Sequence, residues 1–339
     1  MKNEVKKDSQ MVDKGIPHFN RFFHYLREQG IVLALLFLFV GFSIATPHFL
    51  KITNLFNVLR QVSLLGIISV GMTMVIISGE IDLSVGAIYG MAAVSCGLLM
   101  KAGFSVWLSI IVAVGVGTLI GFLNGVLVNY VKIASFIVTL GILNVVRGSS
   151  LLLTNGLPVF ISSQTVSDPS LQKFFFLGQG KILEIIPTMV IFLLIILVLG
   201  YLVVHHSLYG FYLRAVGGNA RAARASGINV ESIKTVAFAL VGALAALAGV
   251  LNLSFLSSVQ GIVGTGLELD VIAATVIGGT SLAGGEGSII GTIVGVLIIG
   301  ILRNGLVLLG VSPFWQTTLI GGMIIGAATV DALTRRSKT

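Results

Sequence analysis

The sequence is poor in charged residues and in cysteine. Only 10% of its 339 residues are charged, whereas 55% are hydrophobic and 42 are glycine. Soluble domains carry roughly a quarter charged residues, so this composition predicts a polytopic membrane protein. The single cysteine, Cys96, lies inside an apolar segment. A single cysteine excludes a disulfide framework and a cysteine zinc site.

Signatures of catalysis are missing as well. The chain has no GxxxxGK[ST] sequence for nucleotide phosphates and no HExxH sequence for zinc. His205 and His206 are adjacent, so they do not share one helix face as metal ligands would. A chain of carboxylates through the apolar segments is the usual mark of a proton-coupled transporter, and this sequence has none. We therefore predict a protein that is not an enzyme, binds no metal or cofactor, and draws any energy from a partner.

The net charge of +8 is an orientation signal rather than a sign of nucleic-acid binding. Basic residues cluster in both tails and in the interval 205–235. Cytoplasmic loops of membrane proteins are enriched in lysine and arginine, so this interval and both termini are predicted to be cytoplasmic.

Hydropathy predicts an all-α protein with about ten transmembrane helices. The chain divides into an N-terminal tail, 1–29, a transmembrane domain, 30–330, and a C-terminal tail, 331–339. A helix that crosses a bilayer needs about 20 apolar residues. The predicted helices cover about 30–45, 62–78, 87–100, 106–128, 134–153, 185–204, 236–256, 269–282, 289–309 and 315–328.

Two further stretches lie between these helices. The segment 48–61 alternates apolar residues with Lys51 and Arg60, which is typical of an interfacial amphipathic piece. The segment 154–184 is mixed in composition and is predicted to be a long loop. Glycines repeat every four residues at 117–125, 86–90 and 322–326, a spacing that favours close packing of helices within the chain.

One polar stretch, 209–234, predicts a short helix outside the membrane. Asn219 is a good N-cap, residues 220–226 favour a helix, and Gly227 suits the position after its end. Arg221 and Arg224 are three residues apart and therefore share a face. A helix of about two turns is stable only when docked, which favours a protein contact. The alternative is a polar loop held at the membrane surface by its charge.

Two acidic, glycine-rich junctions interrupt the apolar chain. The first, GEIDLSVG, contains Glu80 and Asp82, and the second, GGEGS, contains Glu286. Charges near membrane depth are costly, so they either line water or pair with cations at helix ends. Arg147 and Arg303 are the candidates for pairing. Broken helices in both halves would also suit an internal duplication.

Four segments together resemble a known family. They are GMTMVIISGEIDLSVGAIYGM (71–91), ASFIVTLGILNVVRGSSLLLTNGLPV (134–159), LRAVGGNARAARASGINV (213–230) and LDVIAATVIGGTSLAGGEGSIIGTIVG (269–295). In order, from about residue 30 to 330, the chain resembles ribose-type sugar ABC importer permeases, of the superfamily that includes branched-chain amino acid permeases. One departure is Glu80, where that family more often has a second glycine.

The resemblance implies a permease in the bacterial inner membrane that works with three partners. These are an ABC ATPase dimer on the cytoplasmic face, an extracytoplasmic sugar-binding protein, and a second copy or paralogue of the permease. ATP would be used by the ATPase, and the permease itself would bind no cofactor. The ATPase-coupling segment of the family maps onto Gly217, Gly218, Asn219, Ala220, Arg221, Ala222, Ala223, Arg224, Ala225, Ser226 and Gly227.

A sugar path would need hydrogen-bonding side chains in an apolar wall. The candidate lining residues are Asn124, Thr139, Asn144, Asn252, Asn304 and Gln260. Each of them also suits an ordinary hydrogen bond between helices.

Three hypotheses follow. The first is the sugar permease of an ABC importer. The second is an ion-coupled secondary transporter that uses Glu80, Asp82, Glu268 or Asp270. The third is a membrane scaffold that binds an ATPase without solute flux.

Overall fold

A computed structural model describes the backbone of residues 16–336 and the side chains of residues 30–329 except 313, 324, 327 and 328. The described chain is mainly helical. Its helices are α1 Ile16–Ala45, α2 Ile52–Ile77, α3 Val85–Lys101, α4 Val106–Asn129, α5 Ser135–Thr154, α6 Leu171–Gln179, α7 Thr188–His206, α8 Leu208–Gly218, α9 Ala220–Ala225, α10 Val230–Leu256, α11 Leu267–Ile277, α12 Ile289–Leu308 and α13 Pro313–Arg336. The strands are β1 Val159–Phe160, β2 Lys181–Ile182, β3 Ile186–Pro187 and β4 Ser258–Val259.

Six helices of the described chain are long and apolar enough to cross a membrane. They are α2, α4, α5, α7, α10 and α12, and two shorter apolar helices cover Gly30–Ala45 and Val85–Lys101. The all-α polytopic class is therefore confirmed, whereas the count of ten spans is not. Helix α11 has 11 residues. Its length of about 16 Å reaches only about half way across a hydrocarbon core.

The segment 48–61 is not a separate interfacial piece. Helix α2 runs without interruption from Ile52 to Ile77 and includes most of it. No glycine or proline occurs between residues 48 and 65, so nothing ends the helix where the amphipathic pattern passes into the apolar one.

Helix α10 lies at the centre of the bundle because glycines let its neighbours approach it closely. Gly117 of α4 lies against Ala246, Gly121 against the Phe238 carbonyl oxygen, and Gly125 against Thr235. A Cβ atom at any of the three would overlap these atoms. The four-residue glycine repeat is therefore a face for packing within the chain, as predicted for this helix.

The segment 154–184 is more ordered than the loop predicted from its composition. It contains α6, whose last residue, Gln179, donates hydrogen bonds from Nε2 to the Phe255 carbonyl at 3.0 Å and to Ser257 Oγ at 3.0 Å. Strand β1 also pairs antiparallel with β4, placing Val159 opposite Val259. The helix was missed because its nine residues take their stability from packing on the end of α10 rather than from local propensity.

The chain between β4 and α11 folds back against α3. The Gly264 carbonyl and the Glu268 carboxylate both lie where a side chain on Gly86 would be. The Val263 carbonyl likewise lies where a side chain on Gly90 would be. Gly264 and Gly266 have φ of 82° and 81°, a backbone conformation that glycine adopts without strain. The fold thereby places a non-helical segment beside the start of α3.

Candidate functional site

The short helix predicted in the polar stretch is α9, and its caps are as expected. Asn219 Oδ1 accepts hydrogen bonds from the backbone N–H groups of Arg221 and Ala222 at 3.1 and 3.0 Å. Gly227 follows the helix with φ of 84°. These caps satisfy backbone groups that a helix of six residues leaves open at each end.

Helix α9 is held to its neighbours by a small apolar cluster. Ala223 packs with Val216 of α8 and Val230 of α10, and all three side chains are buried. Arg221 and Arg224 are exposed. The segment is thus a rigid element with one buried face and a basic outer face.

A shared carboxylate connects α9 to two other elements. Glu231, in the first turn of α10, accepts hydrogen bonds from Arg224 and from Lys132 through the same oxygen, Oε1. Lys132 lies between α4 and α5, and its Nζ is 2.8 Å from that oxygen. Displacement of α9 would therefore act on the start of α10 and on the α4–α5 connection.

The end of α8 touches both acidic junctions through backbone atoms. A Cβ on Gly217 would overlap the Ile77 carbonyl oxygen and the Gly285 nitrogen. The Gly285 N–H also donates a hydrogen bond to that Ile77 oxygen at 2.8 Å. Gly284, with φ of 85°, packs against Gly79. Three glycine-rich turns that are distant in sequence therefore meet at one point.

The two acids of the first junction have different environments. Lys234 Nζ of α10 lies 2.6 Å from Glu80 Oε1, and both side chains are mostly buried. Asp82 is fully buried, and its Oδ1 accepts hydrogen bonds from the Ser84 backbone N–H and hydroxyl at 2.7 and 2.6 Å. Asn124 of α4 donates from Nδ2 to Ser84 Oγ at 2.8 Å and to Asp82 Oδ2 at 3.3 Å.

In the second junction, Glu286 is exposed, and its carbonyl accepts a hydrogen bond from the Ser281 N–H at 3.0 Å. Arg303 pairs at 2.7 Å with Asp270 of α11, so it neutralises an acid, but not one of the three in the two junctions. Arg147 instead donates to Thr265 Oγ1 and forms no ion pair within the described part of the chain. The partner of Glu80, Lys234, was not anticipated, because 154 residues separate the two.

The candidate path residues are placed in separate surroundings. Asn304 and Asn54 exchange amide hydrogen bonds at 2.8 and 2.9 Å, which ties α12 to α2. Thr139 bonds the Ser135 carbonyl of its own helix. Asn144 is exposed and donates to the Leu140 carbonyl. Asn252 is buried. Gln260 is exposed.

No group of three or more histidine, cysteine or acidic side chains in the described residues is arranged to hold a metal ion. The features that stand out are the capped basic helix α9, the glycine contact beneath it and the polar junctions within an apolar bundle. With six described helices long and apolar enough to cross a membrane, they define a multi-pass membrane protein.

Comparisons with known proteins give the family. Residues 54–328 match the family described as "Branched-chain amino acid transport system / permease component", and the chain belongs to it. It is 41% identical to the ribose import permease protein RbsC of Escherichia coli K12, over 91% of this chain and 94% of that protein. It is 40% identical to RbsC of Bacillus subtilis, over 90% and 93% of the two chains. It is 37% identical to the L-arabinose ABC transporter permease protein AraH of Azospirillum brasilense, over 92% and 90%. No solved structure matches the chain.

Proposed function

We propose that the chain is the membrane permease subunit of an ATP-driven importer for a monosaccharide such as ribose. The observation that carries this proposal is the likeness, along nearly the whole length, to permeases named for the import of ribose and arabinose. Identity at this level over complete transmembrane domains supports a shared transport role.

The partners follow from the same reading. An ABC ATPase would bind α9 and the adjoining residues, because Arg221 and Arg224 present charge on a rigid, capped helix. The basic residues of 205–235 support a cytoplasmic position for this surface. A sugar-binding protein would deliver substrate to the opposite face, and a second permease copy would complete the channel. Both termini would then be cytoplasmic in a bacterial inner membrane.

The contacts beneath α9 suggest how ATPase movement reaches the path. Helix α8 lies directly before α9, and its Gly217 touches the backbone at Ile77 and Gly285. Closely packed backbones cannot be compressed, so a push on α9 would move the end of α2 and the connection between α11 and α12 together. Such a rigid-body shift is a common way to switch between two states of a transporter.

The ion-coupled alternative finds less support in the contacts of its acids. Glu80 is paired with Lys234 and Asp270 with Arg303, which favours structural roles for both carboxylates. A scaffold without solute flux has no specific contact in its favour.

The proposal is tested by reconstituting the permease with its ATPase and binding protein in lipid vesicles. We expect ATP-driven uptake of radiolabelled ribose that requires all three proteins. Stimulation of ATP hydrolysis without ribose uptake would support the importer function and show that ribose is not the substrate. Neither uptake nor stimulation would overturn the proposal.

The proposed docking of the ATPase on α9 is tested separately by a charge-reversal variant. Arg221 makes no ion pair with another described residue, whereas Arg224 binds Glu231. Arg221→Glu therefore changes the outer face without disturbing the inner contacts. We expect unchanged membrane insertion and loss of ATPase copurification. Lys173→Glu, a charge reversal at an exposed lysine of α6 outside the 205–235 interval, is the control.

A further inference from the structure

A polar cluster lies at the loop before α11, apart from the docking segment. It consists of Arg147 of α5 together with Thr265 and Glu268. Arg147 Nη1 donates a hydrogen bond to Thr265 Oγ1. Three residues further on, Glu268 Oε1 accepts one from the Gly266 N–H at 3.2 Å. The end of the loop and the first turn of α11 thus contact a guanidinium and carry a carboxylate three residues apart along the chain. Among the described residues, neither charged group forms an ion pair.

Both charged groups keep buried atoms without partners. Glu268 is only 9% exposed, and its Oε2 accepts no hydrogen bond in the described structure. Nε and Nη2 of Arg147 are also buried and donate to no described group. Buried polar atoms nearly always have a protein or water partner, so unpaired ones of both signs indicate a place for a polar ligand.

The position of Arg147 argues against contact with lipid. It lies seven residues before the Thr154 end of α5, or about 10 Å inside the helix end. Charged side chains at such depth face the bundle interior or a water-filled cavity. Asn144, one turn away on the same helix, is exposed and bonds only its own helix at 2.9 Å. This side of α5 therefore carries two polar side chains, Asn144 and Arg147.

Glycine holds the acceptor of the cluster in place. The Glu268 carboxylate and the Gly264 carbonyl both occupy the space that a Cβ on Gly86 would need. The carboxylate is thereby held against the start of α3. Its Oε2 and the Nε and Nη2 of Arg147 remain without hydrogen-bond partners among the described residues.

We propose that Arg147, Thr265 and Glu268 form a binding station for the hydroxyl groups of a neutral monosaccharide on its way through the membrane, an inference that rests on the proposed function. A sugar hydroxyl donates a hydrogen bond to Glu268 Oε2, and the oxygen of another hydroxyl accepts one from Nε or Nη2 of Arg147. Neutral polyols satisfy both groups, whereas Glu268 repels anions and Arg147 repels cations.

The first test uses charge-neutral variants in the reconstituted importer. Glu268→Gln and Arg147→Gln should each lower the rate of ribose uptake by about tenfold or more, the effect of losing one charged hydrogen bond. ATP hydrolysis stimulated by the loaded binding protein should persist, since the docking segment is intact. Ser149→Ala is the matched control, because its hydroxyl bonds only the Val145 carbonyl of the same helix. Ribose uptake by both variants at the control rate would overturn the proposal.

The second test does not depend on transport by a variant that loses a charge. Cys96 is the only cysteine, so Cys96→Ala provides a background free of thiols. Thr265→Cys in that background should react with a small water-soluble thiol reagent, and saturating ribose should slow the reaction. Val145→Cys is the control, since Val145 is 63% exposed on the other side of α5. Equal reactivity at both positions, or reactivity at Thr265→Cys that ribose does not change, would contradict a sugar station.

Failure of this inference is distinct from failure of the proposed function. If the unchanged importer and both charge-neutral variants take up ribose at the same rate, the binding station is rejected and the permease function stands. Absence of uptake and of ATPase stimulation in the unchanged importer removes both.

Discussion

Lys234 and Glu80 form an ion pair at 2.6 Å that joins the second turn of α10 to the junction after α2. The side chains are 14% and 18% exposed. Glu80 precedes the buried Asp82 cluster, and Lys234 follows Glu231, which pairs with Arg224 of α9. The pair therefore lies between the basic helix α9 and the polar interior of the bundle.

Breaking this pair should destabilise the end of the bundle near α9. Glu80→Gln or Lys234→Met leaves one mostly buried charge without its partner, at an expected cost of about 1–3 kcal/mol. We expect a lower melting temperature for the purified protein in detergent. The exchanged pair, Glu80→Lys with Lys234→Glu, should recover most of the loss because the attraction is restored.

The control is Lys132→Met. Lys132 is 61% exposed, and its carboxylate partner keeps Arg224. An exposed pair contributes about 0–1 kcal/mol, so little change is expected. A melting temperature as low for Lys132→Met as for Lys234→Met would contradict a special role for the Glu80 pair.

Adjacent glycines at the end of α8 should respond differently to alanine. Gly217→Ala places a methyl group against the backbone at Ile77 and Gly285, which has to move, at a cost of about 1–3 kcal/mol. Gly218 has nothing within 4 Å of an added Cβ, so Gly218→Ala should be neutral to within about 0.5 kcal/mol. Thermal melting and ATP-driven uptake measure the two effects. Equal behaviour of the two variants would show that the glycine contact is not tight in the membrane.

The stability of the segment 154–184 should depend on pH through Asp168. Its Oδ2 accepts a hydrogen bond from the Val106 N–H at 2.9 Å and its Oδ1 one from the Ser170 N–H at 2.6 Å. The Val106 bond, followed by that from Ser170, holds the pKa of the Asp168 carboxyl below its ordinary value. The stabilisation is therefore complete above about pH 4 and is lost as the pH falls through the lowered pKa.

Limited proteolysis of vesicle-embedded protein with an acid-active protease measures this loss. Cleavage within 154–184 should increase as the medium is acidified below about pH 4. Asp168→Asn should show the higher cleavage already at neutral pH, because a neutral amide oxygen is a weaker acceptor at the start of α4. Identical cleavage of both proteins at every pH would rule out the Asp168 contact as the anchor.

The local parts of the candidate site could be read from residue types. Asn219 and Gly227 mark a helix because capping depends on residues a few positions apart, and the structure contains α9 between them. Arg303 was a candidate partner for an acid because a charge in an apolar helix has few alternatives, and it binds Asp270. The glycine repeat of α4 predicted a packing face, which α10 occupies.

Other features of the candidate site could be predicted only from the tertiary structure. Helix α6 exists because it packs on the end of α10, which no local pattern records. Lys234 looked like part of a basic surface until its neighbour in space, Glu80, was known. Arg147 was expected to meet a carboxylate and meets Thr265 instead. The loop that carries Thr265 is positioned by contact with α3, far away in sequence.

The sequence by itself determined the membrane class, the all-helical architecture and the short basic helix. These depend on composition, hydropathy and caps, which act within a few residues. Only the tertiary structure decided which junctions meet Gly217, which cation neutralises Glu80 and which polar atoms stay unpaired beside Arg147. The reason is that such contacts join segments far apart in the sequence, and their geometry is set by how closely the helices pack.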